Sequence, residues 1–268
     1  MKNKIISVFG ILVLLGGLVL GGIGIKRCLN EANAGESYEE LKVELDIPPL
    51  QEIPDAEEKL ENPIDFKALK AKYPDVYAWI RIPGTKVDYP IAQRAGEDAD
   101  NYYLHHTIDG RKRLEGAIYT ESLNSKDFTD PNTVIYGHNM KNGSMFGQLR
   151  KFKAKDYYEQ NPYFYIYTPD GKEVKYQVYA VCIVEDTSDS YNKFYENDDA
   201  YLKYLQYIKG IARYDTGVKV TAQTQLVSLS TCTNVTETQR LLVHGVKVEE
   251  PVAEGQVNET PVEEKAVE

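Results

Sequence analysis

The 268-residue sequence predicts a mainly β domain, a closed or nearly closed barrel with a few helices, and three observations carry that reading. From Trp79 onward, apolar and β-branched residues recur in short runs separated by turn residues, the pattern of many short strands. Pro169-Asp170-Gly171 lies between two such runs, Tyr163–Tyr167 and Val174–Val184, and Pro followed by Asp-Gly presets the backbone of a tight turn, so the pair reads as a hairpin. Finally, 42% hydrophobic and 27% charged residues fit a packed globular unit, with room for one large domain or two small ones.

The elements follow in order. Ile5 to Ile25 is 21 residues without a charge. At ~1.5 Å per residue it would span ~32 Å, about one hydrocarbon core. Its length, and the Lys26-Arg27 pair in place of a small-residue cleavage site, favour an uncleaved anchor within residues 1–27 over a removed signal peptide. Lys2 and Lys4 face Lys26 and Arg27 across the run, so the positive-inside count leans only slightly toward a cytoplasmic N-terminus. With an acidic, cysteine-poor remainder, the expectation is a single-pass cell-membrane protein whose main domain is extracellular. Residues 28–62 read as an acidic stalk containing Pro48, Pro49 and Pro54. Residues 63–248 form the one dense domain. Residues 249–268, with seven Glu, two Pro and no aromatic residue, read as a disordered acidic tail.

Within the domain, Phe66, Leu69 and Tyr73 recur at helical spacing until Pro74 ends the helix. Strands are expected at Trp79–Ile82, Val87–Ile91, Gly116–Thr120 and Val134–Tyr136, then at the hairpin. Asp198-Asp199 open a helix on which Tyr201, Leu205, Ile208 and Ala212 form one apolar stripe. Gln225–Cys232 and Leu241–Val248 complete the set.

Charge and composition exclude several functions. With 31 Lys+Arg against 41 Asp+Glu the net charge is −10, a poor match to nonspecific nucleic-acid binding, which needs clustered cations. Three cysteines are too few and too scattered for a disulfide scaffold or a zinc cluster. The 21 Tyr against one Trp suggest a surface rich in amphipathic aromatics.

Three residues carry candidate chemistry. Leu226, Ser228, Ser230 and Cys232 share one strand face by parity, and Cys232 stands at the strand end, where a thiol is accessible. Cys182, inside Val181-Cys182-Ile183-Val184, reads as a buried structural cysteine, and Cys28 as bland or acylated. A thiol nucleophile needs a proton partner and a donor for the developing oxyanion. His138 sits at the strand–loop junction after Val134-Ile135-Tyr136-Gly137. Arg240 opens the next strand, eight residues after Cys232, close enough for neighbouring strands to bring thiol and guanidinium side by side. His244 shares Arg240's face but lies four residues along, and is expected to be a packed histidine; His105 and His106 are expected to be solvated.

Leu229-Ser230-Thr231-Cys232 followed by Arg240 resembles the TLxTC…R signature of sortases, with Ser228 where the threonine often stands. Tyr136-Gly137-His138-Asn139-Met140 resembles the sortase histidine segment. Phe146-Gly147-Gln148-Leu149, Trp79-Ile80-Arg81-Ile82-Pro83-Gly84-Thr85 and Tyr89-Pro90-Ile91 match in order. The long insertion with a helix at about 198–213, the helix before Trp79 and Asp100-Asn101-Tyr102-Tyr103-Leu104 resemble class B; neither the Asp-Pro-aromatic lid nor the second span of pilus-type class C enzymes is found. The resemblance implies a closed eight-stranded β-barrel and transpeptidation. Cys232 would attack the carbonyl after the Thr of a C-terminal sorting signal, of NPxTx or LPxTG-like type, giving a thioacyl enzyme. His138 would shuttle protons and Arg240 would steady substrate and oxyanion. Ser230, Thr231, Asn101 and Leu104 would bind substrate. The implied partners are surface proteins bearing the signal and a peptidoglycan precursor amine, with no metal or cofactor and no nucleic acid. A pilin-polymerising sortase, with a lysine acceptor, uses the same trio. An L,D-transpeptidase would place an arginine at position 234, where Asn234 stands, and a non-catalytic binding module would be expected to lack the trio.

Overall fold

The computed structural model describes residues 24–26, 28–49, 62–96 and 99–248. Eight strands close into a barrel: β1 (Val76–Arg81), β2 (Asp88–Ala92), β3 (Ile118–Thr120), β4 (Asn132–Tyr136), β5 (Tyr163–Tyr167), β6 (Glu173–Glu185), β7 (Leu226–Cys232) and β8 (Gln239–Lys247). Their order around the barrel is β1-β2-β3-β4-β7-β8-β6-β5, and β1 pairs with β5 to close it. The expected mainly β, closed eight-stranded architecture is what the chain adopts. Two pairings are parallel, β2 with β3 and β4 with β7. The β4–β7 pairing spans the β5–β6 hairpin and a long excursion, as parallel neighbours require a crossover.

The helices that pack on the barrel are, among the described residues, α1 (Glu36–Glu44), α2 (Phe66–Lys72), α3 (Ala99–His105), α4 (Lys155–Gln160) and α5 (Asp198–Gly210). Asp65 caps α2 by accepting from the Lys67 and Ala68 amides, and Asn197 caps α5 through the Ala200 amide. Asp198 and Asp199, expected to open α5, occupy its first turn, where acidic charge suits the positive end of the helix.

The barrel interior and the outer face of β7–β8 form two cores. Val227, Leu229, Leu241 and Val243 point inward among Trp79, Ile91, Ile135 and Phe164. Leu226, Leu242 and Val246 point outward and are covered by Tyr201, Tyr204, Leu205 and Ile208 of α5. By the period of two, Ser228, Ser230 and Cys232 share the outward face. Helix α5 covers the Leu226 end of it and leaves Cys232 half-exposed.

Three expectations are corrected. Residues 28–49 are not a stalk: they hold α1, and Ala34, Tyr38, Leu41 and Ile47 are buried in the main core. The Tyr38 hydroxyl donates to the Gly116 carbonyl, Lys42 pairs with Asp88 at 3.4 Å, and the Arg81 guanidinium donates to the Pro48 carbonyl. Acidic composition hid this packing because the buried residues are few and widely spaced. The tyrosines are not mainly a surface feature, since 12 of the 21 are buried. Their rings fill core volume while hydroxyls reach interior acceptors, as Tyr201 does to the Pro131 and Thr224 carbonyls. The expected single-pass membrane topology, with a cytoplasmic N-terminus and extracellular domain, is not supported: among the described residues no helix is long and apolar enough to cross a membrane. The run 5–25, apart from Gly24 and Ile25, lies outside the described residues, as do residues 50–61 and the 249–268 tail.

Candidate active site

Three adjacent strands deliver the expected trio to one end of the barrel. Cys232, the last residue of β7, is the cross-strand partner of Arg240 on β8. On the other side, β4 runs parallel to β7 with Tyr136 opposite Ser230, so two further residues along each chain set His138 level with Cys232. Backbone bonds extend that register: the Gly137 amide donates to the Ser230 carbonyl at 3.1 Å, and the Thr231 hydroxyl donates to the Gly137 carbonyl at 2.7 Å. Gly137 is required there, because a Cβ would meet Ile118 Cδ1 at 2.5 Å and Phe146 Cδ2 at 2.8 Å.

The two loops leaving β4 and β7 are laced together. Asn139 Nδ2 donates to the Cys232 carbonyl at 2.7 Å, and Asn234 Nδ2 donates to the Asn139 carbonyl at 3.1 Å. Asn234 has φ of 61°, a left-handed conformation that Asn tolerates better than most residues. The loop after His138 returns through the Phe146 amide, which donates to the His138 carbonyl at 2.9 Å.

His138 is half-buried, and its Nε2 lies 2.7 Å from the Leu104 carbonyl on α3. A carbonyl can only accept, so Nε2 carries the proton and the neutral ring keeps its lone pair on Nδ1. Burial pushes the His138 pKa below its ordinary value, and the Leu104 carbonyl partly offsets this.

Arg240 is held by three acceptors. Nη1 donates to the Glu237 carbonyl at 2.6 Å, and Nη2 to Asp186 Oδ2 at 3.0 Å. Asp186 is fixed in turn by its own amide, which donates to the Thr238 carbonyl at 2.9 Å. With a longer bond from Nη1 to the Gln239 carbonyl at 3.3 Å, three of the five guanidinium N–H donors are used, leaving Nε–H and one Nη2–H for a carbonyl or oxyanion.

A tyrosine wall flanks the trio. The Tyr191 and Ser230 hydroxyls are 2.8 Å apart, and burial pushes the Tyr191 phenol up to about 12, so it stays neutral. The Tyr191 ring stacks on Tyr136 at 6.2 Å and 2°, and Tyr136 on Tyr119 at 5.4 Å. Lys193 and Glu121, 2.6 Å apart, tie the same stretch to the end of β3.

The other expected binding residues fall in different places. Ser230 is buried beside Tyr191. Thr231 is buried on the opposite face, with its hydroxyl on Gly137. Asn101 is exposed on α3, and Leu104 meets His138 through its carbonyl. Cys182 is fully buried, its thiol 3.7 Å from the Ile208 carbonyl and its pKa pushed up to about 12 by burial, while Cys28 is exposed. Sequence reasoning missed Asp186, Asn139, Asn234 and the Leu104 carbonyl as neighbours of the trio. Asn139 and Leu104 lie within the histidine segment and the Asp100–Leu104 segment, but Leu104 acts through its carbonyl, which has no side-chain signal at all.

Residues 80–248 match the sortase domain family. Sortase B of Listeria monocytogenes is 37% identical over 171 residues, covering 63% of this chain and 67% of that protein. The solved structure of Clostridium perfringens sortase B superposes with a TM-score of 0.63 at 29% identity, covering 68% of this chain and 99% of that one. A Streptococcus pyogenes class B sortase described as involved in pilus biogenesis has a TM-score of 0.60 at 30% identity, covering 69% and 98%. Family match, relatives and barrel agree with the sequence resemblance, and the chain belongs to the sortase family, in class B, whose members are cysteine transpeptidases.

Proposed function

We propose that this sortase cleaves a C-terminal sorting signal of NPxTx or LPxTG-like type after its Thr and transfers the surface protein to a peptidoglycan precursor amine. The observation that carries the reading is the adjacency of Cys232 at the end of β7, Arg240 opposite it on β8, and His138 just beyond the end of the neighbouring β4.

Each step then follows from the groups present. The Cys232 thiol passes its proton to His138 Nδ1 as sulfur attacks the carbonyl carbon. Arg240 donates to the oxygen that gains charge, the type of stabilisation that contributes most in acyl transfer. The tetrahedral species collapses by breaking the C–N bond, and the leaving amine takes the proton from His138 Nδ1. The incoming amine attacks the thioester, gives its proton to the same nitrogen, and the thiolate departs to regain it. The Leu104 carbonyl keeps Nδ1 as the exchanging nitrogen throughout. Tyr191, Tyr136 and Ser230 form the wall beside the acyl site, and Asn101 and Leu104 are the more distant groove candidates.

A second reading, a pilin-polymerising enzyme with a protein lysine as acceptor, is favoured by one observation: a class B relative 30% identical to this chain is described as involved in pilus biogenesis. Incubating the protein with a panel of sorting-signal peptides and amines, with products read by mass, separates the two. Transfer to peptidoglycan-type amines supports the first reading, and transfer to lysine within a folded pilin alone supports the second.

A further inference from the structure

Behind Cys232, the outward face of β7 and β8 buries a polar chain that the chemistry above does not use. His244, fully buried on β8, is the cross-strand partner of Ser228 on β7, and its Nδ1 lies 2.7 Å from the Ser228 Oγ. The same Oγ lies 2.6 Å from Asn132 Oδ1 on β4. A carboxamide oxygen only accepts, so the one hydroxyl proton goes to Asn132 and His244 must donate from Nδ1. Asn132 Nδ2 then reaches the Asn192 carbonyl at 2.9 Å, the Tyr204 hydroxyl at 3.0 Å and the Ser190 carbonyl at 3.4 Å. Proton counting therefore gives the chain one direction, from β8 through β7 and β4 into the excursion between β6 and β7.

Its far end is the 3-10 turn Asp189–Tyr191. That turn presents Tyr191 to Ser230 and Tyr136, which stand two positions before Cys232 and His138 respectively. The inner end is left uncompensated, because His244 Nε2 is buried with no partner among the described residues. An orphaned interior nitrogen disfavours folding, and an apolar residue would pack at lower cost. What the chain supplies in return is direction: two turn carbonyls fixed to the barrel wall.

We propose that Asn132, Ser228 and His244 are positioning residues, setting the 189–192 turn and, through Tyr191, the wall beside Cys232. This inference rests on the sorting-signal reading. The chain governs how tightly the peptide is held and leaves the thiol chemistry alone. A hydroxyl at position 228 is the essential feature, and either Ser or Thr can supply it.

The test uses the full-length protein with Ser228→Ala, Asn132→Ala and Ser228→Thr. Hydrogen exchange of the 188–192 amides, steady-state kinetics on a sorting-signal peptide and the rate of Cys232 alkylation by iodoacetamide are measured for each. Ser228→Ala and Asn132→Ala are expected to speed exchange in the turn and raise KM roughly tenfold, the scale of one lost buried hydrogen bond. Their kcat should stay within about threefold, with alkylation unchanged, and Ser228→Thr should restore both turn protection and KM. A lowered melting temperature with unchanged KM, or alkylation falling in step with turnover, overturns the proposal. Should the unmodified protein turn over no peptide, the sorting-signal reading fails, while unchanged exchange in Ser228→Ala would separately overturn the positioning claim.

Discussion

His138 Nε2 stands 2.7 Å from the Leu104 main-chain oxygen, and that contact leaves the lone pair on Nδ1, the nitrogen that exchanges a proton with Cys232 in the proposed reaction. His138→Ala is expected to lower transpeptidation by about 10² to 10⁴-fold, the usual scale for a positioned acid–base group. Because burial pushes the folded pKa below 6.5, the ring is neutral above that range and can accept the thiol proton. The rise of kcat/KM with pH should therefore have its acid limb below 6.5. A limb at or above that value would argue against His138 as the base.

In the proposed reaction Arg240 donates through its planar geometry as well as its charge, the fork being fixed by its bonds to the Glu237 and Gln239 carbonyls and to Asp186. Arg240→Lys should lose on the order of 10²-fold in kcat/KM, the scale of one oxyanion donor. Asp186→Ala should cost far less. The pair is partly exposed, at 22% and 37% of side-chain area, and such pairs contribute ~0–1 kcal/mol, so a loss of at most about fivefold is expected. Comparing the two variants on one peptide checks both numbers.

The strands, the helices α2 and α5 and the mainly β class are legible in the sequence because each has a local signal, whereas Cys232, His138 and Arg240 are singled out together by the resemblance to sortases. Parity placed Ser228, Ser230 and Cys232 on one face, and the eight-residue step placed Arg240 on the neighbouring strand, as the register shows. Helix α1 was not legible: its buried residues Tyr38 and Leu41, with the flanking Ala34 and Ile47, sit in an acidic stretch, and their packing depends on a partner surface distant in sequence. The anchoring of Arg240 was equally hidden, since Asp186 lies 54 residues away and only the β6–β8 pairing brings it near. Parity also gave His244 the face of Arg240, but its bond to Ser228 depends on strand register, which a sequence alone does not specify.

His244 makes acid stability a second check on the fold. Burial pushes its pKa down to about 3, whereas an unfolded histidine titrates near 6.5. The unfolded chain therefore binds a proton that the native chain refuses between those values, and stability falls as pH drops from about 6.5 toward 3. The contribution of this one group approaches ~1.4 kcal/mol per pH unit within that window. Urea unfolding at pH 7 and pH 5 should show a larger loss for the parent than for His244→Gln, which has no ring to protonate. Equal losses would mean His244 is not held neutral.

Cys182 separates packing from chemistry. Its thiol is fully buried and kept protonated, with a pKa pushed up to about 12. Cys182→Ala should retain turnover and lose ~1 kcal/mol of stability from the small cavity, read by denaturant midpoint. Cys28→Ala should change neither.

The proposed reaction requires that Cys232 alone form the acyl-enzyme. The most direct measurement is the intact and peptide-resolved mass of the full-length protein quenched during turnover of a sorting-signal peptide without an added amine. One thioacyl adduct is expected, carried by the peptide containing Cys232, absent in Cys232→Ala and discharged by a nucleophilic amine. An adduct on any other residue, or peptide cleavage that persists in Cys232→Ala, would contradict it.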